Sequence, residues 1–461
     1  MTRSIALRVA FPASLVASLS SCATPLADGS RGGVDTRPNV VVVFTDDQGY
    51  GDLSCYGHPT IHTPALDALA AEGTKLTQFY VASPVCSPSR AALLTGSYPK
   101  RVGMHQHVIF PDYDYGLHTD EVTLADLLRE QGYATGCFGK WHLGHRPGLL
   151  PLDQGFDEYV GVPYSNDMAQ THRKPDNKYP YRMPLMHGNE VVEWEPDQRL
   201  LTRIATEAAV DFIDRNADRP FFAYVPHSMP HIPLYASAEF EGTSPRGLYG
   251  DVIEEIDWSV GQLVEALERN GIRENTLFVF ATDNGPWLPF KRDGGSAGLL
   301  RGGKGSNWEG GQRVPCIVSW PGVVPQNEVE RAVVTAMDLV PTVAAWTGAN
   351  LPEDRAIDGH DVRSLLTGES GDSPTDAFLY YTPKGQLAGI RSGPWKLLLE
   401  KGELYQVEID VSEQWDVAKD HPELVEELRS LAASRDAAIT AGARPVRQVE
   451  ALAFDPRKPE D

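Results

Sequence analysis

Short apolar runs that alternate with helical patterns, each run closing on polar residues, constrain this chain more than any other feature. Val40 to Phe44 is an uninterrupted valine-rich run, which suits a strand buried on both faces. It closes on Thr45-Asp46-Asp47-Gln48-Gly49. Further strands are expected over 134–138, 221–225, 276–282 and 314–320, and helices over 65–71, 123–131, 200–216 and 252–270. The alternation predicts an α/β fold, a mainly parallel doubly wound sheet flanked by helices. In such sheets ligands bind beyond the carboxyl ends of the strands. Asp46, Asp47, His227, Asp283 and Asn284 all fall at those ends. Past residue 369 the texture changes: 378–381, 387–391, 395–399 and 403–407 read as a small antiparallel sheet, and 422–437 as a closing helix. Residues after Gly442 are rich in proline and charge and read as a loosely held tail.

A chain of 461 residues, 41% hydrophobic and 23% charged, buries a large core. Its formal charge of −22 argues against binding nucleic acid or adhering to anionic membranes. An anionic ligand must therefore be drawn by a local positive site. Five cysteines in a chain this size make no disulfide framework. Cys55, Cys137 and Cys316 read as buried thiols, with at most one bridge among them.

The first thirty residues read as a processing segment. Arg3 and Arg8 precede an apolar stretch, Val9 to Leu19, too short and polar to span a membrane. Leu19-Ser20-Ser21-Cys22 resembles a bacterial lipobox, which would leave Cys22 as a lipid-bearing N-terminus. The alternative is a secretory cut near Ala27. Either reading exports the protein, to the periplasm or as an outer-membrane lipoprotein.

Asp46, Asp47, Asp283 and Asn284 are hard oxygen ligands, a set that favours Ca²⁺, with Mg²⁺ second, over zinc. Either pair alone reads as a turn; two pairs at strand ends read as a metal site. A glycine follows each pair within two residues, which would let the backbone turn sharply. In Pro84-Val85-Cys86-Ser87-Pro88-Ser89-Arg90, Pro88 suits the first turn of a helix. Cys86 then lies at a helix N-terminus, where free N–H groups favour anions, with Arg90 a turn further on. A buried cysteine capping a core helix is the ordinary alternative.

Cys-x-Pro-Ser-Arg followed by Ala-Ala-Leu-Leu-Thr-Gly resembles the first signature of the type I sulfatases, in the alkaline phosphatase superfamily. Gly132-Tyr133-Ala134-Thr135-Gly136-Cys137-Phe138-Gly139-Lys140-Trp141-His142 resembles the second, with Phe138 where the family usually carries a smaller aliphatic residue. The resemblance runs from about Pro38 to about Asp416 and implies a sulfuric ester hydrolase, arylsulfatase A-like. It implies that a maturation enzyme oxidises Cys86 to Cα-formylglycine, and that Asp46, Asp47, Cys86, Asp283 and Asn284 bind one Ca²⁺. It further implies catalytic roles for Cys86, Arg90, Lys140, His142, His227 and Lys304. Ser165 joins Lys140, His227 and Lys304 as a substrate contact. Three aspartates and one divalent cation sum to about −1, and Arg90, Lys140 and Lys304 bring the site to about +2. His105, His107, His145, His172 and His231 read better as surface or packing residues than as pocket residues.

The implied organisation is a signal peptide over 1–21, a tether over 22–37, a catalytic domain over 38–369, a C-terminal subdomain over 370–441 and a tail over 442–461. The expected substrate is a sulfate monoester, an aryl sulfate or, in nature, a sulfated carbohydrate. The alternatives are a phosphonate monoester or phosphodiester hydrolase of the same superfamily, and a silent lectin-like binder. The full set of metal and cationic residues argues against the last.

Overall fold

The valine-rich run forms a strand buried at every position, β1 (Asn39–Thr45). Val40, Val42 and Phe44 join one apolar cluster, and Val41 and Val43 join another on the opposite face. Burial on both faces is what a central parallel strand requires. The computed structural model describes residues 37–169 and 181–450. The expectations for the leader, Cys22, the tether to residue 36 and His172 lie outside the described residues.

The chain continues through β2 (Thr74–Tyr80), β3 (Tyr115–Gly116), β4 (Ala134–Lys140), β5 (Glu158–Val162), β6 (Pro184–His187), β7 (Glu190–Trp194) and β8 (Phe221–Val225). β9 (Thr276–Thr282), β10 (Arg313–Ser319), β11 (Glu328–Glu330) and β12 (Val334–Thr335) follow. The large sheet runs β11-β2-β10-β9-β1-β8-β4-β5-β6-β7, with β12 on β2. β9, β1, β8, β4 and β5 are parallel, so their carboxyl ends share one edge. β10 is antiparallel to both its neighbours, and the β6–β7 hairpin adds antiparallel pairing at one side. Thr45 lies opposite Thr282, so Asp46 and Asp283 leave the sheet side by side.

Helices cover both faces. α1 (Pro64–Ala71), α4 (Leu201–Arg215) and α5 (Leu248–Arg269) bury Leu66, Phe212 and Ile256 with Val41 and Val43. α2 (Cys86–Thr95), α3 (Leu124–Glu130) and α7 (Leu339–Thr347) bury Leu93, Leu127 and Val343 on the other face. α3 starts where a reciprocal cap closes: the Thr123 hydroxyl accepts from the Asp126 amide, and the Asp126 carboxylate accepts from that of Thr123. Between α5 and α7 lies the single turn α6 (Glu309–Gln312), and α8 (Arg363–Leu366) follows α7.

A second, antiparallel sheet orders β13 (Phe378–Tyr381), β14 (Leu387–Ser392), β15 (Trp395–Leu398) and β16 (Glu403–Gln406), and α9 (Pro422–Ala441) packs on it. α9 runs four residues past its expected end, and α5 begins four residues before its expected start. The expected loose tail is tied down as far as it is described. β17 (Arg447–Gln448) pairs with β3, and the Arg444 guanidinium grips Glu121 through two hydrogen bonds of 2.7 and 2.8 Å. Cys55, Cys137 and Cys316 are free thiols. Among the described residues, no helix is long and apolar enough to cross a membrane.

Candidate active site

Beyond the shared edge of β9, β1, β8 and β4 the chain gathers three buried carboxylates, the buried cations Arg90 and Lys140, and the partly buried Lys304. Asp46 and Asp47 follow β1, and Asp47 itself takes the left-handed turn, φ 65°. Neither Gly49 nor Gly285 does, contrary to the expected role of those glycines. They are needed for close approach instead: a Cβ on Gly285 would lie 1.7 Å from the Gly310 carbonyl oxygen, and one on Gly49 2.1 Å from that of Ser296.

Cys86 opens α2 with its side chain buried, Sγ 3.3 Å from Asp46 Oδ1 and 3.6 Å from Lys304 Nζ. Arg90, one turn on, donates from Nε and Nη2 to Asp283 Oδ2 at 3.0 and 2.8 Å and from Nη1 to the Lys140 carbonyl. Lys140, the last residue of β4, pairs with Asp46. Lys304 Nζ lies 2.8 Å from Asp47 Oδ2 and 4.3 Å above the Trp287 ring. Asn284 Nδ2 donates to Asp47 Oδ1 at 2.7 Å, while its Oδ1 is buried without a hydrogen-bond partner.

Burial and the crowding of like charges shape the electrostatics. Burial raises Asp46, yet Lys140, His231, Arg90 and Lys304 together hold it well below the usual carboxylate range. Burial and the neighbouring Asp46 push Asp283 up to about 7, against the pull of Arg90. Burial, then Asp283 and Asp46, raise the Cys86 thiol well above its ordinary value. Carboxylates this close, beside an unsatisfied amide oxygen, are a donor set suited to a hard cation. Ligand atoms of Asp46, Asp47, Cys86 and His231 all lie within 4.8 Å of one another. Asp283 adjoins them, its Oδ1 accepting from the Asp47 amide at 3.1 Å.

The histidines separate clearly. His142 lines the cavity above Cys86, and its Nε2 contacts the Ile109 carbonyl at 3.0 Å. A carbonyl only accepts, so Nε2 carries the proton and Nδ1 keeps its lone pair. That Nδ1 is buried and unpartnered. Burial, then Lys140 and Arg90, push the ring well below its ordinary pKa, so it is neutral. His227 is not where the sequence expectation put it. Its ring is fully buried, Nε2 lies 3.1 Å from Ser259 Oγ on α5, it does not line the cavity, and burial pushes its pKa down to about 4. His231, expected to be a packing residue, lines the cavity instead. Its Nδ1 donates to the Ile232 carbonyl, leaving Nε2 3.5 Å from Asp47 Oδ2. Both residues follow β8, one two positions and the other six positions beyond its end, and spacing alone favours the nearer.

Ser165 also lines this cavity of about 240 Å³, with Oγ buried and unpartnered. His107 joins its wall too, whereas His105 and His145 do not. A larger cleft of about 540 Å³ lies against Gln78, Arg391 and Glu408 and contains none of these residues. Chemistry rather than volume marks the site.

Comparison with known proteins agrees with this geometry. The family model described as Sulfatase matches residues 38–349. Human arylsulfatase A is 40% identical over 383 residues, covering 78% of this chain and 74% of its own. The N-acetylgalactosamine-6-sulfatase of Canis lupus familiaris is 40% identical over 378 residues, covering 79% and 72%. The solved structure of Ps i-CgsB in complex with k-i-k-neocarrahexaose superposes with a TM-score of 0.78 at 32% identity, covering 88% of this chain and 94% of that one. The match takes in both signatures, the aspartates after β1 and β9 and the Lys304 loop, and the chain belongs to the sulfatase family, sulfuric ester hydrolases of the alkaline phosphatase superfamily.

Proposed function

We propose that this sulfatase is a calcium enzyme, that Cys86 matures to Cα-formylglycine, and that its natural substrate is a sulfated carbohydrate. The observation that carries the reading is the seat of Cys86. It opens a helix at the floor of the cavity, with Asp46 and Lys304 within 3.6 Å of its sulfur. Ca²⁺, held by Asp46, Asp47, Asp283, Asn284 and position 86, would polarise the sulfate oxygens. Oxidised and hydrated, position 86 supplies two hydroxyls, one to attack sulfur and a second whose proton loss expels sulfate.

The chain's own residues do the rest. Lys304 neutralises sulfate charge, and Arg90 and Lys140 hold the carboxylates and the side chain at position 86 in place. His142 Nδ1, unprotonated and unpartnered, takes the proton from the second hydroxyl. His231, rather than His227, would serve the departing oxygen: as an imidazolium it keeps its Nδ1 proton on the Ile232 carbonyl and gives up its Nε2 proton to the leaving group. Carbohydrate is favoured by two relatives whose names specify sugars, the N-acetylgalactosamine-6-sulfatase and the carrahexaose complex. The lipobox-like leader adds export to where polysaccharides are met.

Co-expression with a maturation enzyme should place an aldehyde at position 86. Mass spectrometry of the tryptic peptide, with a carbonyl-reactive probe, reads it directly. Full activity in protein whose Cys86 is still a thiol refutes the nucleophile. Aryl phosphonate turned over faster than aryl sulfate would favour the phosphonate hydrolase reading instead.

A further inference from the structure

The inner end of the cavity is accounted for by Cys86, His142, His231 and Lys304, but its outer wall has no assigned role. That wall sets the rings of His107, Phe110 and Trp287 among Val85, Val108 and Met168. His107 and Phe110 stack at 5.5 Å with planes 22° apart, and Trp287 packs edge-on against Phe290 at 4.7 Å. His107 is anchored by its amide, which donates to the Pro383 carbonyl at 2.8 Å.

Into this apolar wall the fold inserts one carboxylate, Asp167, the only acidic residue lining the cavity among the described residues. Its Oδ1 is buried without a partner, as is the hydroxyl of Ser165, a residue only 1% exposed. A buried acceptor with no donor is costly unless a ligand supplies one. Asp167 cannot serve the sulfate, which it would repel. Its partner must therefore belong to the group that sulfate leaves behind.

We infer that this wall is the leaving-group subsite for a single pyranose, in which Asp167 accepts a hydrogen bond from a free hydroxyl next to the scissile ester. The rings cover the sugar face, and Asp167 is a specificity-determining residue. A second sulfate on the neighbouring oxygen would remove the donor and set an anion against the carboxylate, so vicinal disulfates are rejected. The inference rests on the carbohydrate sulfatase reading above and adds which sulfated sugars that site accepts.

The test is steady-state kinetics of the matured enzyme on galactose and N-acetylgalactosamine monosulfates, the matching vicinal disulfates, and 4-nitrophenyl sulfate as reference. The wild type should prefer monosulfate over disulfate by about 30-fold or more in kcat/KM. Asp167→Asn should raise disulfate turnover by roughly tenfold, a gain that misfolding cannot produce. Asp167→Ala should raise KM for monosulfates more than it lowers kcat. A wild type inert towards 4-nitrophenyl sulfate and every sugar sulfate removes the sulfatase reading itself. Turnover of 4-nitrophenyl sulfate without discrimination between mono- and disulfate, or discrimination unchanged in Asp167→Asn, overturns the subsite alone.

Discussion

His142 and His231 line one cavity, and each ring is oriented by a single backbone carbonyl. Ile109 takes the Nε2 proton of His142, and Ile232 takes the Nδ1 proton of His231, so opposite ring nitrogens face the chemistry. In His142→Ala the alcohol should leave normally and turnover should then stall, giving a burst of one equivalent of alcohol while sulfate lags. His231→Ala should slow alcohol release itself, most for sugars and least for activated phenols, with no burst. His227→Ala should instead lower stability by about 1–3 kcal/mol, leaving the leaving-group dependence unaltered. Rapid-quench kinetics decide the matter, and a burst in His231→Ala but not in His142→Ala would reverse the two roles. Asp283, gripped twice by Arg90 and bonded to the Asp47 amide, belongs to the same scale. Asp283→Ala should lose about a hundredfold or more in kcat. Chelation should inactivate the wild type, with Ca²⁺ restoring it better than Zn²⁺; an enzyme indifferent to chelator would contradict the oxygen-ligand site.

At the scale of elements, α1 owes its start to a residue on another helix. Asp257 of α5 accepts from the amides of Ala65 and Leu66 at 3.1 and 2.8 Å, capping α1 across the interface. Burial pushes its carboxyl up to about 7, although these two amides pull it down. The folded chain thus binds this proton more tightly than the unfolded chain. The resulting stability is fully present below about pH 4 and is lost as pH rises through about 7. Asp257→Asn should be spared that loss: between pH 5 and 8 its Tm should fall less than the wild type's, by roughly 2–4 °C. Parallel calorimetric scans check it, and equal slopes would mean Asp257 is already ionised at pH 5. Elements also differed in how legible they were. β1, β8 and β9 are continuous apolar runs and could be read directly. β2 (TKLTQFY) and the exposed β7 (EVVEW) mix polar residues into partly solvated strands, and no expectation covered them.

At the scale of the molecule, one buried ion cluster ties the small C-terminal sheet to the two ends of the loop that carries Lys304. Glu309, which starts α6 just after the Lys304 loop, bonds Lys396 of β15 at 3.0 Å and the Tyr380 hydroxyl at 2.7 Å. Lys396 also pairs with Glu413 at 2.7 Å, and Glu413 accepts from the Glu309 amide while its carbonyl accepts from Arg301. Burial raises Glu309, yet Lys396, then Arg391 and Arg313, hold it well below the usual carboxylate range. Its contribution is therefore present above about pH 4 and lost as pH falls below that. Lys396→Met removes the cation that Glu413 pairs with and one of those that hold Glu309, which should destabilise the protein by about 3–5 kcal/mol. Because the cluster clamps the loop carrying Lys304, kcat on 4-nitrophenyl sulfate should also fall by roughly tenfold, with partial recovery in Lys396→Arg. Thermal unfolding beside kinetics separates the effects; a large loss of stability with unchanged kcat would make the second sheet purely structural.

Local chemistry wrote much of this protein into its sequence. Apolar period and strand-end placement predicted the parallel sheet and brought Asp46, Asp47, Asp283 and Asn284 to one edge, because parallel strands must end together. Pro88 in a first helical turn placed Cys86 at a helix N-terminus, as found. What only the tertiary structure decided was direction. Five loop residues separate β8 from His231, and nothing local says which of two histidines swings over β1 and which turns into α5 against Ser259. The tail is the same case: Arg444 is one arginine among many until folding sets it against Glu121, 323 positions away. Strand ends are settled by short-range periodicity, whereas loop side chains answer to distant packing partners, and those contacts exist only once the chain has closed.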